Sequence, residues 1–377
     1  MDKIVSIIGI KTRQKTLDSI GYFRLKNKNY EVWDISGFID VLKNRVSYSD
    51  EVDLKKSIVK IDNEEELIAR VEKYNKNKNV CYRFYAIPEE GLEQRVKNRI
   101  KETGGNILTK NRFSGVPDEN ERGTVWKILG NVRYYKRCVE NVFNKKVFPD
   151  YSFVSTSQNA LDSLNASFKT RVCPIHSHDY DKYLTAKRDY QDIKHGAVFL
   201  SSNIPDHVEV TANLGEGVID RNKYYKSIKS FFKYLEEERG ISDIVVAEHP
   251  NADLNKVSKY WREYEVFKNE TAKKILESRY VISQGGNSTL IGVMANKPIL
   301  MISNKEMIKN DLSDFCQQYS KRLGIEMSVV NEDGIVSFGG FSKKDEYKKI
   351  MEEYIKEPGT PDVNSFDYMY EKVIGGE

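Results

Sequence analysis

The feature that most constrains this chain is a rhythm that runs from one end to the other. Short β-rich apolar runs alternate with longer segments whose apolar residues recur at helical spacing. The runs 3–10 (KIVSIIGI), 30–36 (YEVWDIS), 57–62 (SIVKID), 79–87 (NVCYRFYAI), 106–113 (NILTKNRF), 151–157 (YSFVSTS) and 170–176 (TRVCPIH) read as strands. Between them, 64–74 and 123–143 carry apolar residues at helical spacing. A strand followed by a helix and then another strand, repeated in this way, predicts a parallel sheet covered on both faces.

A second series begins beyond the polar stretch 182–196, with strands at 196–202 (GAVFLSS), 242–248 (SDIVVAE), 264–267 (YEVF), 279–284 (RYVISQ) and 297–303 (KPILMIS). The segment 224–238 places Ile228, Phe231, Phe232 and Leu235 on one helical face, which is the pattern of an ordinary helix packed on a sheet. The 377 residues suit two domains that each bury a core. The fold class expected is therefore α/β, with two Rossmann-like halves. The N-terminal domain spans 1–188, the C-terminal domain 189–360, and a final helix over 361–377 follows the breaker-rich EPGTPD and packs back on the N-terminal domain. No repeat of 20–50 residues and no low-complexity tract interrupts this pattern.

Charge and cysteine content exclude several classes. Sixty basic and 56 acidic side chains leave a net charge of +4, without the regional excess of a phosphate-tracking surface, so no nucleic-acid partner is expected. With 11% aromatic residues the chain is far from the disordered regime. Cys81, Cys138, Cys173 and Cys316 lie far apart with no CxxC pair, which fits reduced thiols in the cytoplasm. No apolar stretch approaches the roughly 18 residues that span a bilayer, so any membrane contact, at the inner face, would be peripheral.

In open α/β sheets ligands bind beyond the carboxyl ends of the strands. Three strand-end segments are chemically unusual. In 281–302 a strand ends at Ser283, Gly285 and Gly286 let the backbone approach a ligand, and Asn287, Ser288 and Thr289 open the next helix. Free N–H groups there would seat a phosphate. Simple helix capping needs only one such residue, and the paired glycines favour a binding loop. In 244–255 an apolar strand runs into Glu248, His249, Pro250 and Asn251, presenting a histidine on a proline-stiffened turn. The competing role for His249 is a structural turn residue. In 197–209 a strand empties into Ser201, Ser202 and Asn203. Three polar strand ends in one domain suit a nucleotide.

The His249–Pro250 pair after a strand, the Ser288–Thr289 pair at a helix start, and the Lys297–Pro298 strand opening together resemble the donor half of GT-B glycosyltransferases. The resemblance covers roughly residues 170–305 and includes the segment PIHSHDYDKYL (174–184). It is greatest to bacterial sialyltransferase-like and surface-polysaccharide transferases. It implies two Rossmann-like domains with parallel sheets facing across a cleft, and a nucleotide-sugar donor with a CMP-linked acidic sugar favoured. It also implies a glycan or lipid-linked glycan acceptor and no essential cofactor or metal. By that resemblance His249, with Pro250, contacts the donor phosphate or assists its departure, and Ser288 and Thr289 hydrogen-bond it. Ser202, Asn203, Ser283, Gly285, Gly286 and Asn287 line the same donor site.

Inverting members of this group use a carboxylate base in an acidic-acidic-Gly motif, and the matching residues are Glu89, Glu90 and Gly91. A carboxylate there would take the proton of an acceptor hydroxyl. The same PEEG segment also suits a helix start. Lys11 and Arg13, after the first strand, are candidate contacts to an anionic acceptor, although a solvated surface explains them equally. His176, His178, Asp179 and Asp181 have ligand-type side chains but read as polar contacts near the hinge. A dinucleotide oxidoreductase is disfavoured, because the first strand runs into IIGIKTRQ without GxGxxG and no P-loop follows any strand. A nucleotide-sugar epimerase and a non-catalytic nucleotide-sugar- or glycan-binding protein are the alternatives.

Overall fold

A computed structural model of the chain describes residues 1–10, 14–39, 58–87, 90–110, 147–155, 169–342 and 344–376. These residues form two compact units. Described residues up to His176, together with Gly359 onward, make the first, and Ser177–Pro358 the second. Each is a parallel-sheet α/β domain.

The first unit holds β1 (Lys3–Ile8), β2 (Tyr30–Asp34), β3 (Ile58–Lys60), β4 (Val80–Tyr85), β5 (Asn106–Lys110), β6 (Tyr151–Val154) and β7 (Arg171–Pro174). They lie in the order β3-β2-β1-β4-β5-β6-β7, and every neighbouring pair is parallel. Successive side chains of a strand face opposite ways, and β1 uses both directions. Ile4 and Ile8 enter a core with Leu17, Phe153 and Met369, while Val5 and Ile7 enter another with Trp33, Leu67 and Val96. Burial on both faces explains why these strands read as apolar runs.

The helix Ser365–Ile374 completes the first of those cores. Asn364 caps it by accepting from Phe366 N and Asp367 N, and Phe366, Met369 and Val373 are buried with Ile4 and Ile8. Gly21 sits at φ +75°, and a Cβ there would lie 2.4 Å from the Phe366 ring, so only glycine permits this approach.

The second unit contains β8 (His195–Leu200), β9 (Ile244–Glu248), β10 (Val266–Lys268), β11 (Ser278–Ser283), β12 (Ile299–Asn304), β13 (Ser328–Asn331) and β14 (Gly334–Ser337). Their order, β10-β9-β8-β11-β12-β13-β14, repeats that of the first unit. Among its described strands only β13 and β14 pair antiparallel. The helix Arg221–Arg239 buries Ile228, Phe231, Phe232 and Leu235 completely, the face expected from their spacing.

Two features differ from the sequence reading. The polar stretch after His176 is a helix, His178–Asp189, whose Tyr180 and Tyr183 pack into the second unit's core with Val198 and Leu200. The chain therefore enters the second unit at Ser177 and not near residue 188. The hairpin β13–β14 was not foreseen, because its strands are four residues each and only half apolar. The helix expected at 123–143 lies outside the described residues. Cys81, Cys173 and Cys316 are free and buried, and burial raises each thiol above its ordinary pKa, as expected of inert packing residues. Among the described residues no helix is long and apolar enough to cross a membrane.

Candidate functional site

The strand order reverses direction between β8 and β11 in the second unit, and the loops leaving their carboxyl ends diverge there to opposite sides of the sheet. The loop from β11 carries the glycine pair. Gly285 (φ +96°) and Gly286 (φ +111°) both occupy the left-handed region. They serve different purposes. A Cβ on Gly285 would come within 2.9 Å of Cys316 N and of the Phe315 carbonyl carbon, so Gly285 lets the loop lie against the helix Asp314–Arg322. A Cβ on Gly286 would meet nothing within 4 Å, so this glycine borders open space.

The hydroxyls of this loop divide in the same way. Ser283 and Thr289 are fully buried, their oxygens lie 2.7 Å apart, and Ser283 Oγ accepts from Gly285 N at 3.1 Å. Their role is to fasten the loop to itself. Ser288 is half-buried, and its side chain does not cap the helix Thr289–Met294 that follows it. The N–H groups of Thr289, Leu290 and Ile291 are taken up by the carbonyls of Gly286, Asn287 and Ser288. The N–H groups of Gly286, Asn287 and Ser288 themselves donate to no group among the described residues. Three successive unused N–H groups and one hydroxyl make this segment rich in donors of the kind that suit an anion.

β8 lies between β9 and β11, so its loop adjoins both others. Ser202 Oγ reaches the Gly285 carbonyl at 3.4 Å, which links it to the glycine loop. Asn203 is buried in a left-handed turn (φ 49°), its N–H directed to Ser201 Oγ at 3.3 Å. On the other side, Ser201 Oγ donates to Glu248 Oε1 at 2.6 Å. Glu248, at the tip of β9, is fully buried and also accepts from its neighbour His249 N at 2.9 Å and from Trp261 Nε1 at 3.0 Å. A buried carboxylate that receives three donors is well satisfied, and this one joins two strand ends.

His249 stands on the turn so fixed, whose closing bond runs from Ala252 N to the His249 carbonyl at 2.9 Å. Asn251 N donates to His249 Nδ1 at 3.2 Å, which assigns the proton of a neutral ring to Nε2. The exposed Pro250 stiffens the same turn. The second histidine, His207, packs its ring edge-to-face on His249 with centroids 5.3 Å apart. Behind the glycine loop, Tyr224 donates its hydroxyl to Gln284 Oε1 at 2.5 Å, and burial pushes that phenol's pKa upward.

The segments singled out from the sequence thus converge, with Ser202, Asn203, His249, Pro250, Gly285, Gly286, Asn287 and Ser288 on three adjacent strand ends. Ser283 and Thr289 stand behind them as internal braces. Glu248 and His207 were not assigned a role from sequence. A carboxylate ending the apolar run IVVA was the available signal for Glu248, whereas His207 carries no local signal.

In the first unit the corresponding reversal falls between β1 and β4. Gly9 allows those strand ends to touch, since a Cβ there would lie 2.6 Å from the Ala86 carbonyl oxygen. Lys11 and Arg13 follow β1 and Glu89 follows β4, but all three lie outside the described residues, and Glu90 opens the helix Glu90–Glu102. His176 belongs to the first unit and His178 to the second. His178 Nδ1 lies 3.8 Å from Asp181 Oδ2, and Asp179 pairs with Lys182 at 2.7 Å. Among the described residues no three His, Cys, Asp or Glu side chains gather to hold a metal ion.

No protein-family model matches the chain, and no curated protein does. Among solved structures, UDP-GlcNAc 2-epimerase from Methanocaldococcus jannaschii aligns over 99% of this chain and 100% of its own at 10% identity, with a TM-score of 0.43. A UDP-glucosyltransferase from Polygonum tinctorium aligns over 100% of this chain and 94% of its own at 11% identity and a TM-score of 0.36. A trehalose 6-phosphate synthase from Burkholderia multivorans covers 100% and 96% at 8% identity, again with a TM-score of 0.36. The structural neighbours are thus GT-B glycosyltransferases and a nucleotide-sugar epimerase.

Proposed function

We propose that the chain transfers a glycosyl group from a nucleotide-sugar donor to an acceptor hydroxyl, with the donor phosphate held in the second unit. The observation that carries this reading is the Gly286–Ser288 segment, with three unused backbone N–H groups and an uncommitted hydroxyl beyond β11, the neighbour of β8, which bears Asn203 and has β9 and His249 on its other side. An acceptor oxygen attacks the anomeric carbon, the bond from that carbon to the phosphate oxygen breaks, and the nucleotide leaves with the electron pair. The donors of Gly286, Asn287 and Ser288 and the Nε2–H of His249 stabilise the charge that develops on the departing phosphate. The acceptor proton passes to a carboxylate, for which this reading assigns Glu89 or Glu90, while Lys11 and Arg13 serve an anionic acceptor. Within this reading a CMP-linked acidic sugar and a bacterial surface glycan, free or lipid-linked, are the favoured substrates. The chemistry asks for no cofactor or metal.

The test is a thermal-shift screen with CMP, UDP, GDP and dTDP, followed by turnover of the matching nucleotide sugar with a hydroxyl-acceptor panel. A ligand bound only by the native state raises the melting temperature with occupancy. His249→Ala is expected to lower turnover by about 100-fold, and Ser288→Ala to weaken nucleotide binding. Undiminished turnover in the double variant would remove the proposal. Isomerised donor in the absence of any acceptor would replace transfer with epimerisation, and saturable binding without product would leave a nucleotide-sugar-binding protein.

A further inference from the structure

We infer that the helix Arg221–Arg239 and the segment 254–262 of the second unit form a cationic face that docks on a membrane surface of anionic phospholipids. The inference is independent of the donor-site reading above. Residues 221–233 hold five basic side chains and no acidic one, and residues 254–262 hold three and none, in a chain whose 60 basic and 56 acidic residues nearly balance. The fold joins the two stretches. Tyr225 of the helix stacks on Tyr260 with ring centroids 4.2 Å apart, Phe232 meets Trp261 and Tyr264, and Lys259 Nζ lies 4.9 Å from the Tyr260 ring centroid. This local excess is a product of tertiary structure and is hidden in the overall charge of +4.

The helix carries its charges against its own dipole. Arg221 and Lys223 stand in the first turn, where the dipole disfavours cations, and Glu236, Glu237 and Glu238 stand in the last, where it disfavours anions. The helix Glu64–Asn77 shows the favourable arrangement, with Glu64, Glu65 and Glu66 in its first turn and Lys76 in its last. Ion pairs within the fold do not account for the cations. Lys223, Lys226, Lys256, Lys259 and Arg262 are exposed and pair with no carboxylate among the described residues. Lys226, Lys229 and Lys233 share one helical face by their spacing, and the latter two reach Glu263 and Glu237 only at 3.8 and 3.6 Å. A charge pattern that weakens its own helix, without partners in the fold, points to a partner outside it.

Apolar side chains stand beside these cations. Val218, 40% exposed, precedes Arg221 by three residues, and Leu254, 39% exposed, opens the second segment. Cations spread over a face with apolar groups at its edge suit a bilayer surface, where headgroup charge attracts the lysines and apolar groups enter the interface. Six of the eight cations are lysines, which lack the bidentate fork that reads nucleic-acid phosphates. Arg221 pairs with Asp206 of the β8 loop at 2.5 Å, and the second segment follows the His249 turn. The face therefore adjoins the strand ends that carry the candidate site.

The experiment is flotation of the full chain with vesicles of phosphatidylcholine alone and with about 30% phosphatidylglycerol, at about 50 and about 300 mM salt. Wild type should bind the anionic vesicles at low salt, release them at high salt and ignore the neutral ones. The triple variant Lys226→Gln, Lys259→Gln, Arg262→Gln should partition about 100-fold more weakly, the effect of three cations near a charged bilayer. Its melting temperature should match wild type, because the three side chains are exposed and hold no ion pair of the fold. Leu254→Ser should cause a smaller loss that salt does not change. Equal binding to neutral vesicles, no binding to either kind, or undiminished binding by the triple variant would each overturn the inference. Tighter binding of a single-stranded oligonucleotide than of the anionic vesicles would overturn it in favour of a nucleic acid. None of these outcomes bears on nucleotide binding in the donor site.

Discussion

Ser201 donates its hydroxyl proton to the buried carboxylate of Glu248 at 2.6 Å, tying the carboxyl end of β8 to that of β9. The same oxygen of Glu248 takes His249 N, and the Ser201 oxygen in turn accepts from Asn203 N. One short chain of hydrogen bonds thus sets the positions of two residues assigned to the phosphate. Glu248→Ala would leave Ser201, His249 N and Trp261 Nε1 as buried donors without acceptors. The expected cost is about 3 kcal/mol of stability, read from urea denaturation, because an orphaned buried donor carries its full desolvation penalty. A loss within experimental error would show that water or a rearranged loop replaces the carboxylate.

The two loop glycines separate packing from recognition. Gly285→Ala forces a methyl to 2.9 Å from the backbone at Phe315 and Cys316, at a φ of +96°. It is expected to cost roughly 2–3 kcal/mol of stability. Gly286→Ala meets no neighbour and bears only the left-handed penalty, about 1 kcal/mol. Its methyl would project into the space beside the unused N–H groups, so nucleotide affinity should fall more than stability does. Parallel denaturation and nucleotide titration of both variants decide the point, and equal stability losses would contradict the assignment.

The serines of the same loop should behave in opposite ways. Ser283→Ala removes the acceptor of Gly285 N and the partner of Thr289 inside the core, and is expected to lower stability by about 1–2 kcal/mol. Ser288→Ala touches no hydrogen bond of the fold, so its melting temperature should match wild type while nucleotide binding weakens about 10-fold. The reverse ranking would exchange the two roles.

The C-terminal helix supplies a pH-dependent contribution. Burial acts to raise the Asp367 carboxyl pKa, but hydrogen bonds from Lys28 at 2.8 Å and Arg24 at 2.5 Å outweigh it, and the folded value lies below the ordinary aspartate value. A depressed folded pKa adds stability above the unfolded pKa of about 3.9, and this is lost as pH falls through the folded value. The stability difference between wild type and Asp367→Asn should therefore be constant near neutrality and shrink below about pH 4. A difference that grows on acidification would give the shift the wrong sign.

Twelve of the fourteen strands found among the described residues were legible in the sequence, from β1 through β12. A strand buried on both faces must be apolar at successive positions, and Ile4, Val5, Ile7 and Ile8 show that pattern without reference to any partner. The hairpin β13–β14 escaped notice because Ser328–Asn331 buries only part of its length and turns at once through Asp333. The helix Ser365–Ile374 was legible from its own pattern and the breakers before it.

The sequence by itself determined that two parallel sheets form and that polar strand ends follow β8, β9 and β11, since both properties reside in local order along the chain. The tertiary structure decided which of those polar groups remain for a ligand. Ser283, Ser288 and Thr289 are chemically alike, yet Ser283 and Thr289 bond each other inside the core while Ser288 is left uncommitted. His207 and His249 meet only because β8 and β9 are neighbours in the sheet. Which hydroxyl is a brace and which is a ligand donor depends on side-chain direction and on neighbours distant in the chain, and these are set by packing and not by local sequence.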